Sequence, residues 1–373
     1  MYVLVVIAVI YKFVFAFTSK LLKRKDFLES SNKSKILVLF PVYGEDKIVY
    51  HSIVSFLNQT YPKDLFSVVL IADHFSEEGL FHLKSLPIKV IDVNFENSSK
   101  AKALNYAVDS INQDEFEIVV VLDADNLVDT SFLNSINNAY QSGCMVIQAH
   151  RISYDVTTSV AVLDAINEEI NNSIYRKGHN SIGLSSALIG SGMAFHAKSF
   201  FTNVKHIKTV GEDKELECLY HKENIYIHYL DDVFVYDKKV ATVGGFYKQR
   251  RRWLSAQIYM FRFVVKDLII NLFRGNIDYV DKIFQWSLLP SSYIIAIIFV
   301  SLFASYFVEF ILFEKWFYLF IIFVLSQILA LPLKFYNIKT FKALLCLPLL
   351  IFLMFLNIFR IKEGFNHFIR TRH

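Results

Sequence analysis

Four short polar strings define the chemistry open to this chain: Asp73, Asp123-Ala124-Asp125, Glu212-Asp213 and Gln249-Arg250-Arg251-Arg252-Trp253. Two carboxylates at i and i+2 on a turning backbone offer hard oxygen ligands that suit Mg²⁺ or Mn²⁺. A divalent cation held there neutralises a diphosphate leaving group. A separate carboxylate can take a proton from an acceptor hydroxyl. Guanidinium forks match a diphosphate, and the flat face of Trp253 matches a sugar ring. Together the strings point to a transferase that uses a sugar nucleotide at a membrane surface.

Each string also has a plainer reading. Asp73 suits a turn or a helix N-cap. Glu212 and Asp213 suit a helix start, where acids complement the dipole. The arginines followed by Trp253 suit a basic stop at a membrane face. Gly190-Ser191-Gly192 lets backbone approach something closely, or forms a simple bulge. Asp231-Asp232 opens a strand and reads as a solvated pair.

The elements that must carry these strings alternate. Ile36–Phe40, Val68–Ala72, Ile88–Val93 and Ile118–Leu122 are short apolar runs rich in β-branched residues. Helical stretches near 45–58, 99–112 and 129–142 separate them. This alternation predicts an α/β fold: a mostly parallel sheet with helices on both faces. In such sheets ligands bind outside the carboxyl ends of the strands. Asp73 and Asp123 each follow a strand directly and fall on that edge. Residues 157–177 read as a helix, 190–197 and 225–236 as shorter strands, and Glu212–Glu223 as a helix.

Composition narrows the class. The 373 residues are 54 % hydrophobic, with 36 Phe, 20 Tyr and a net charge of only +4. The apolar excess sits at the two ends, which signals membrane insertion rather than a larger core. No zinc-type spacing and no RNA-binding aromatic motif is present, so nucleic acid is not an expected partner. The eleven histidines form no pair at metal spacing. Cys144, Cys218 and Cys346 match no metal pattern and read as reduced thiols.

The ends give a topology. Residues 1–20 read as an uncleaved transmembrane anchor, because Lys20, Lys23, Arg24 and Lys25 follow the apolar run instead of preceding it. The expected layout continues with a cytoplasmic domain over 35–248 and interfacial amphipathic helices over 249–290. Two transmembrane helices over 291–336 follow. Residues 340–360 read as an interfacial or re-entrant helix, since Leu344–Phe359 is short and contains Pro348. That layout keeps the basic tail, 361–373, in the cytoplasm. The expected location is the plasma membrane, with membrane lipids as neighbours.

The order and spacing of these strings resemble the membrane-integrated, inverting family-2 glycosyltransferases, the group of the cellulose, chitin and hyaluronan synthases. Pro41-Val42-Tyr43-Gly44-Glu45 is similar to that family's P-x-Y-N-E string, with Gly44 in place of Asn. Lys100-Ala101-Lys102-Ala103-Leu104-Asn105 is similar to its K-A-x-A-L-N string. Asp213 matches the last acid of its T-E-D string, with Gly211 in place of Thr. The resemblance is strong over about residues 36 to 255 and looser beyond.

The resemblance implies a GT-A fold and a UDP-sugar donor. It implies that Tyr43, Asp73 and Lys100 hold the uridine end, that Asp123 contacts the nucleotide and Asp125 the metal, and that Asp213 is the general base. Gly190, Ser191 and Gly192 would lie near the acceptor. Gln249, Arg250 and Arg252 would grip the diphosphate, and Trp253 would floor the acceptor site. Phe368, Thr371 and Arg372 are similar to the loop that closes over the donor in this family. The implied product is a β-linked envelope polysaccharide, extended on a growing glycan. Transfer of one sugar to a membrane lipid is the alternative enzymatic reading, and a non-catalytic assembly subunit is a third. A homo-oligomer or an export partner stays open.

Overall fold

The computed structural model describes residues 1–21, 27–209 and 211–360. Phe368, Thr371 and Arg372 lie outside the described residues. The chain divides into two compact units. Of the described residues, those within 24–154 and 185–238 form one. Those within 1–23, 155–184 and 239–360 form the other.

The first unit is built on an eight-stranded mixed sheet. Its strands are β1 (Ile36–Tyr43), β2 (Phe66–Asp73), β3 (Lys89–Val93), β4 (Ile118–Val121), β5 (Leu127–Val128), β6 (Val146–Tyr154), β7 (Met193–His196) and β8 (Ile227–Lys238). The spatial order is β3-β2-β1-β4-β7-β6-β8-β5. The pairs β1–β2, β1–β4, β2–β3 and β6–β8 are parallel. β7 runs antiparallel to both β4 and β6, and β5 antiparallel to β8.

β1 is almost wholly apolar because both sheet faces are covered. Its side chains alternate between two cores. Ile36, Val38 and Phe40 pack with Val49 and Ile53 of the Asp46–Phe56 helix and with Phe132 and Ile136 of the Phe132–Gln141 helix. Leu37 and Leu39 pack with Leu104 and Val108 of the Lys100–Asp109 helix and with Phe200, Leu216 and Tyr220. Period-2 alternation thus selects the layer each residue enters.

Three strands differ from the expected layout, the two-residue β5 being one that the sequence reading lacks. β6 is absent from the sequence reading because Gln148, His150 and Arg151 interrupt its apolar pattern. Asp231 and Asp232 do not open β8 but lie inside it. The register with β6 jumps from Ala149↔Leu230 to His150↔Phe234, so residues 231–233 form an irregularity in the ladder.

The second unit is helical. Ser291–Val308 and Phe310–Ala330 are long and apolar enough to cross a membrane. A bent pair, Ile338–Leu344 and Leu347–Ile358, turns by 47°. The Tyr2–Thr18 helix places Val5 and Val9 against Ile294, Ile298, Trp316 and Phe323. Phe303, Phe307 and Tyr318 remain exposed on the two long helices.

The expected contiguous 35–248 domain is therefore interrupted. Residues 155–184 group with the apolar ends, and buried ion pairs give the physical reason. The Ser159–Asn172 helix carries Asp164, Glu168 and Glu169, all buried. Asp164 pairs with Arg250, Glu168 with Lys239 and Glu169 with Lys334. A carboxylate is seldom buried without a cation, and here the cations lie beyond residue 238.

Candidate active site

The parallel strands β1, β2 and β3 end together, with Tyr43 level with Asp73 and Asp73 level with Val93. Asp73 is buried there. Its Oδ1 accepts from the Phe95 amide at 3.1 Å and meets His74 Nδ1 at 2.7 Å. The backbone turns sharply at this edge. Gly44 has φ +57° and His74 φ +58°. The Gly44 amide donates to the Asp73 carbonyl at 2.9 Å. The Tyr43 and His74 rings lie 5.1 Å apart at a tilt of 49°.

One lysine gathers the next group. Lys100 opens its helix directly after Ser99, whose hydroxyl caps the helix by accepting from the Lys102 amide. The Lys100 ammonium donates to Asp123 Oδ1 and, at 2.5 Å, to the Gly190 carbonyl. It also lies 3.5 Å from Glu212 Oε1. Gly190 has φ +81°, where a side chain is strained. A Cβ built there would sit 3.6 Å from Glu212 and 3.7 Å from Asp213 Oδ2. Four regions distant in sequence thus meet around one ammonium.

The charges in this group do not balance. Burial opposes the Lys100 charge, yet Asp123 and Glu212 outweigh it and hold the ammonium above the ordinary lysine value. Burial pushes Glu212 up to about 7, with Asp213 and Asp123 adding to the rise and Lys100 opposing it. Asp213 keeps a partly exposed carboxylate at the helix start, and its Oδ1 accepts from the Lys214 amide at 2.8 Å.

Asp125 faces a different acid. Burial first, then Asp237, Asp123 and Glu45, push it up to about 8. The Lys238 amide reaches its Oδ2 at 3.4 Å. Asp237 ends the apolar run of β8 and was not singled out from sequence. The signal was available, because an acid at the end of a strand is the same feature that marks Asp73 and Asp123.

Two further residues were missed and had no local signal. Asn126 accepts from the Asp123 amide at 2.9 Å and from the Ser191 hydroxyl, tying the Asp123–Asp125 turn to the glycine loop. Gln148 accepts from the Ile189 amide at 3.0 Å and donates to the Ser191 carbonyl at 2.8 Å. It is fully buried, so it fixes the loop from beneath. Gly192 completes that loop at φ +64°. A Cβ there would fall 2.7 Å from Val235 Cγ2, and only glycine fits.

The described residues contain no group of three or more His, Cys, Asp or Glu side chains arranged as a metal cage. Mg²⁺, however, is usually held by one or two carboxylates together with substrate phosphates. Crowded acids, with Asp125 pushed up to about 8, are what a divalent cation relieves, so this donor set fits one.

Gln249, Arg250, Arg251, Arg252 and Trp253 lie in the other unit, on the Val243–Val264 helix. Gln249, Arg250 and Arg251 are buried there, while Arg252 and Trp253 are partly exposed. The Arg250 guanidinium donates to Asp164 and lies 4.4 Å from the Trp253 ring.

The mixed sheet with its covering helices is a GT-A-like fold. The model of the family described as "Glycosyl transferase family group 2" matches residues 118–358. The chain belongs to that family, and it is a glycosyltransferase.

Among solved structures it is similar to the mannosyltransferase PcManGT from Pyrobaculum calidifontis, in complex with GDP-Man and Mn²⁺. Identity is 14 % over 88 % of this chain and 98 % of that one, with a TM-score of 0.55. S. aureus TarS in complex with UDP-GlcNAc is 15 % identical over 88 % of this chain and 90 % of that one, at a TM-score of 0.45. Against a longer TarS structure the chain spans 39 % of that protein and 60 % of itself, with 16 % identity and a TM-score of 0.39. No curated protein matches the sequence significantly.

Proposed function

We propose that this protein is a membrane-bound inverting glycosyltransferase. It takes a UDP-sugar on the cytoplasmic side of the plasma membrane and extends a β-linked envelope polysaccharide. The observation that carries the reading is the convergence of Asp123, Gly190 and Glu212 on the Lys100 ammonium, with Asp213 beside Gly190.

In this reading Tyr43 and Asp73 receive the nucleoside, and Lys100 keeps Asp123 oriented toward it. Gly190, Ser191 and Gly192 leave room for the acceptor. The Asp213 carboxylate takes the acceptor hydroxyl proton. The freed oxygen attacks the anomeric carbon as the bond to the diphosphate breaks, which inverts that centre. Gln249, Arg250 and Arg252 grip the diphosphate, and Trp253 floors the acceptor site. Asp125 and Asp123, with Asp237 close by, would hold Mg²⁺ or Mn²⁺. Such an ion supplies charge neutralisation for the departing diphosphate.

Two apolar helices of spanning length support the membrane assignment, as do their exposed aromatic side chains.

The test is nucleotide release by the purified full chain. UDP-glucose, UDP-N-acetylglucosamine, UDP-galactose and UDP-glucuronate are supplied with Mg²⁺ or Mn²⁺. GDP-mannose joins the panel because PcManGT holds it on the same fold. Turnover with one UDP-sugar and a polymeric product is the expected result. Turnover with GDP-mannose alone overturns the UDP assignment. A product bearing one added sugar on lipid overturns chain extension, and absence of turnover with every donor overturns the enzymatic reading.

A further inference from the structure

We infer that Asp164 is a positioning residue for the diphosphate-binding arginine Arg250; the inference rests on the role proposed above for that arginine. Asp164 is almost fully buried on the Ser159–Asn172 helix. Its Oδ1 accepts from Arg250 Nη2. The guanidinium also lies near two rings of its own helix, 4.8 Å from Phe246 and 4.4 Å from Trp253.

These contacts restrain one end of the fork and pack its plane against aromatic rings. Arg250 Nε is left buried with no hydrogen-bond partner among the described residues. A buried donor without a partner is costly in a resting protein. It is accounted for if an anion completes the set. Arg250 therefore presents a preset fork with an unused donor, and Asp164 sets its direction.

The neighbouring pairs show that this goes beyond anchoring a helix. Glu168 lies one turn after Asp164 and pairs with Lys239, also buried. That pair holds the same two chain segments together without touching Arg250. A purely structural role for Asp164 would make the two carboxylates equivalent.

The experiment compares Asp164→Asn with Glu168→Gln in the full chain. Inhibition by UDP and by GDP, each with Mg²⁺, is measured alongside the melting temperature. Asp164→Asn is expected to weaken the effective nucleoside diphosphate by about tenfold, the scale of one misdirected charge-assisted contact. Glu168→Gln is expected to lower the melting temperature comparably while nucleotide inhibition stays within about twofold. Asp164→Glu keeps the charge and serves if the Asn variant does not fold; an intermediate loss of affinity at near-normal stability is expected. In an Arg250→Ala background, Asp164→Asn should weaken binding no further.

Equal losses of nucleotide affinity in Asp164→Asn and Glu168→Gln, or unchanged affinity in both Asp164 variants, overturn the inference. If Arg250→Ala itself leaves affinity unchanged, the proposed role of the arginine fails first.

Discussion

The sheet unit and the helical unit both bury carboxylates, but they treat the charge in opposite ways. On the Ser159–Asn172 helix each acid has its own cation: Arg250 for Asp164, Lys239 for Glu168 and Lys334 for Glu169. At the sheet edge one ammonium, Lys100, faces Asp123 and Glu212 together, with Asp213 adding to the field. Asp125 faces Asp237 and is pushed up to about 8. The first pattern closes a structure. The second leaves an excess of negative charge in a partly buried place, which is stable only if something positive or a proton arrives. The contrast therefore separates acids whose charge is met by a cation of their own from acids whose charge is left open for chemistry.

The sharpest way to break this contrast is Asp213→Asn. The change keeps size and removes the base, so turnover is expected to fall by about 10²–10⁴-fold, the range for losing a general base. The melting temperature should hardly move, because Asp213 is partly exposed and contributes to no buried pair among the described residues. Unchanged turnover with the accepted donor removes Asp213 from the role.

The opposite signature belongs to the helical unit. Glu168→Gln removes the carboxylate charge paired with the buried Lys239 ammonium. A loss of about 3 kcal/mol in stability is expected, the scale for breaking a buried ion pair by removing one member. Turnover per folded molecule should be retained. Denaturant titration read together with specific activity checks both halves. A stable but inactive Glu168→Gln would place that acid in the chemical group and dissolve the distinction.

Protonation sharpens the comparison further. The folded value of Glu212 lies near 7, above the ordinary carboxylate value of 4.5. Between pH 4.5 and 7 the folded state thus binds more protons at this site than the unfolded chain does. This contribution to stability is greatest below pH 4.5, falls as pH rises through that window, and is flat above 7. The ligand-free wild type should lose several degrees of melting temperature from pH 5 to pH 7 relative to Glu212→Gln. Parallel profiles for the two proteins would show that Glu212 does not carry the extra proton.

The strands and their terminal acids were readable from the chain because both rest on local pattern. β1, β2 and β4 are near-continuous runs of Val, Ile and Leu, and Asp73 and Asp123 sit where such runs stop. Lys100 was readable through its motif. What it holds was not, since Gly190 and Glu212 reach it only through the order in which β4 and β7 pair. Gln148 concealed β6 for a physical reason: a polar residue inside a strand breaks the apolar pattern, yet its amide is needed to fix the 189–192 backbone.

The division of the chain at 155–184 was hidden for a related reason. Asp164, Glu168 and Glu169 look like the solvated face of an ordinary helix until their partners arrive from residues 239, 250 and 334. Polar residues that serve distant segments carry no local signature.

The smallest expected effect tests whether burial of the cation ranks the three helix pairs. Glu169 is buried, but its partner Lys334 is 53 % exposed, against 5 % for Lys239. Water already solvates most of the Lys334 ammonium, so the attraction across its 2.7 Å contact is screened. Lys334→Ala should therefore cost about 0.5–1 kcal/mol, the range of exposed pairs. Added salt should shrink that difference, whereas the loss in Glu168→Gln should persist, because a buried pair is screened much less. Denaturant midpoints of the two variants at low and high ionic strength make the comparison. A Lys334→Ala loss as large as that of Glu168→Gln, and equally insensitive to salt, would mean that the charge of the Ser159–Asn172 helix is held as one network rather than as three separable pairs.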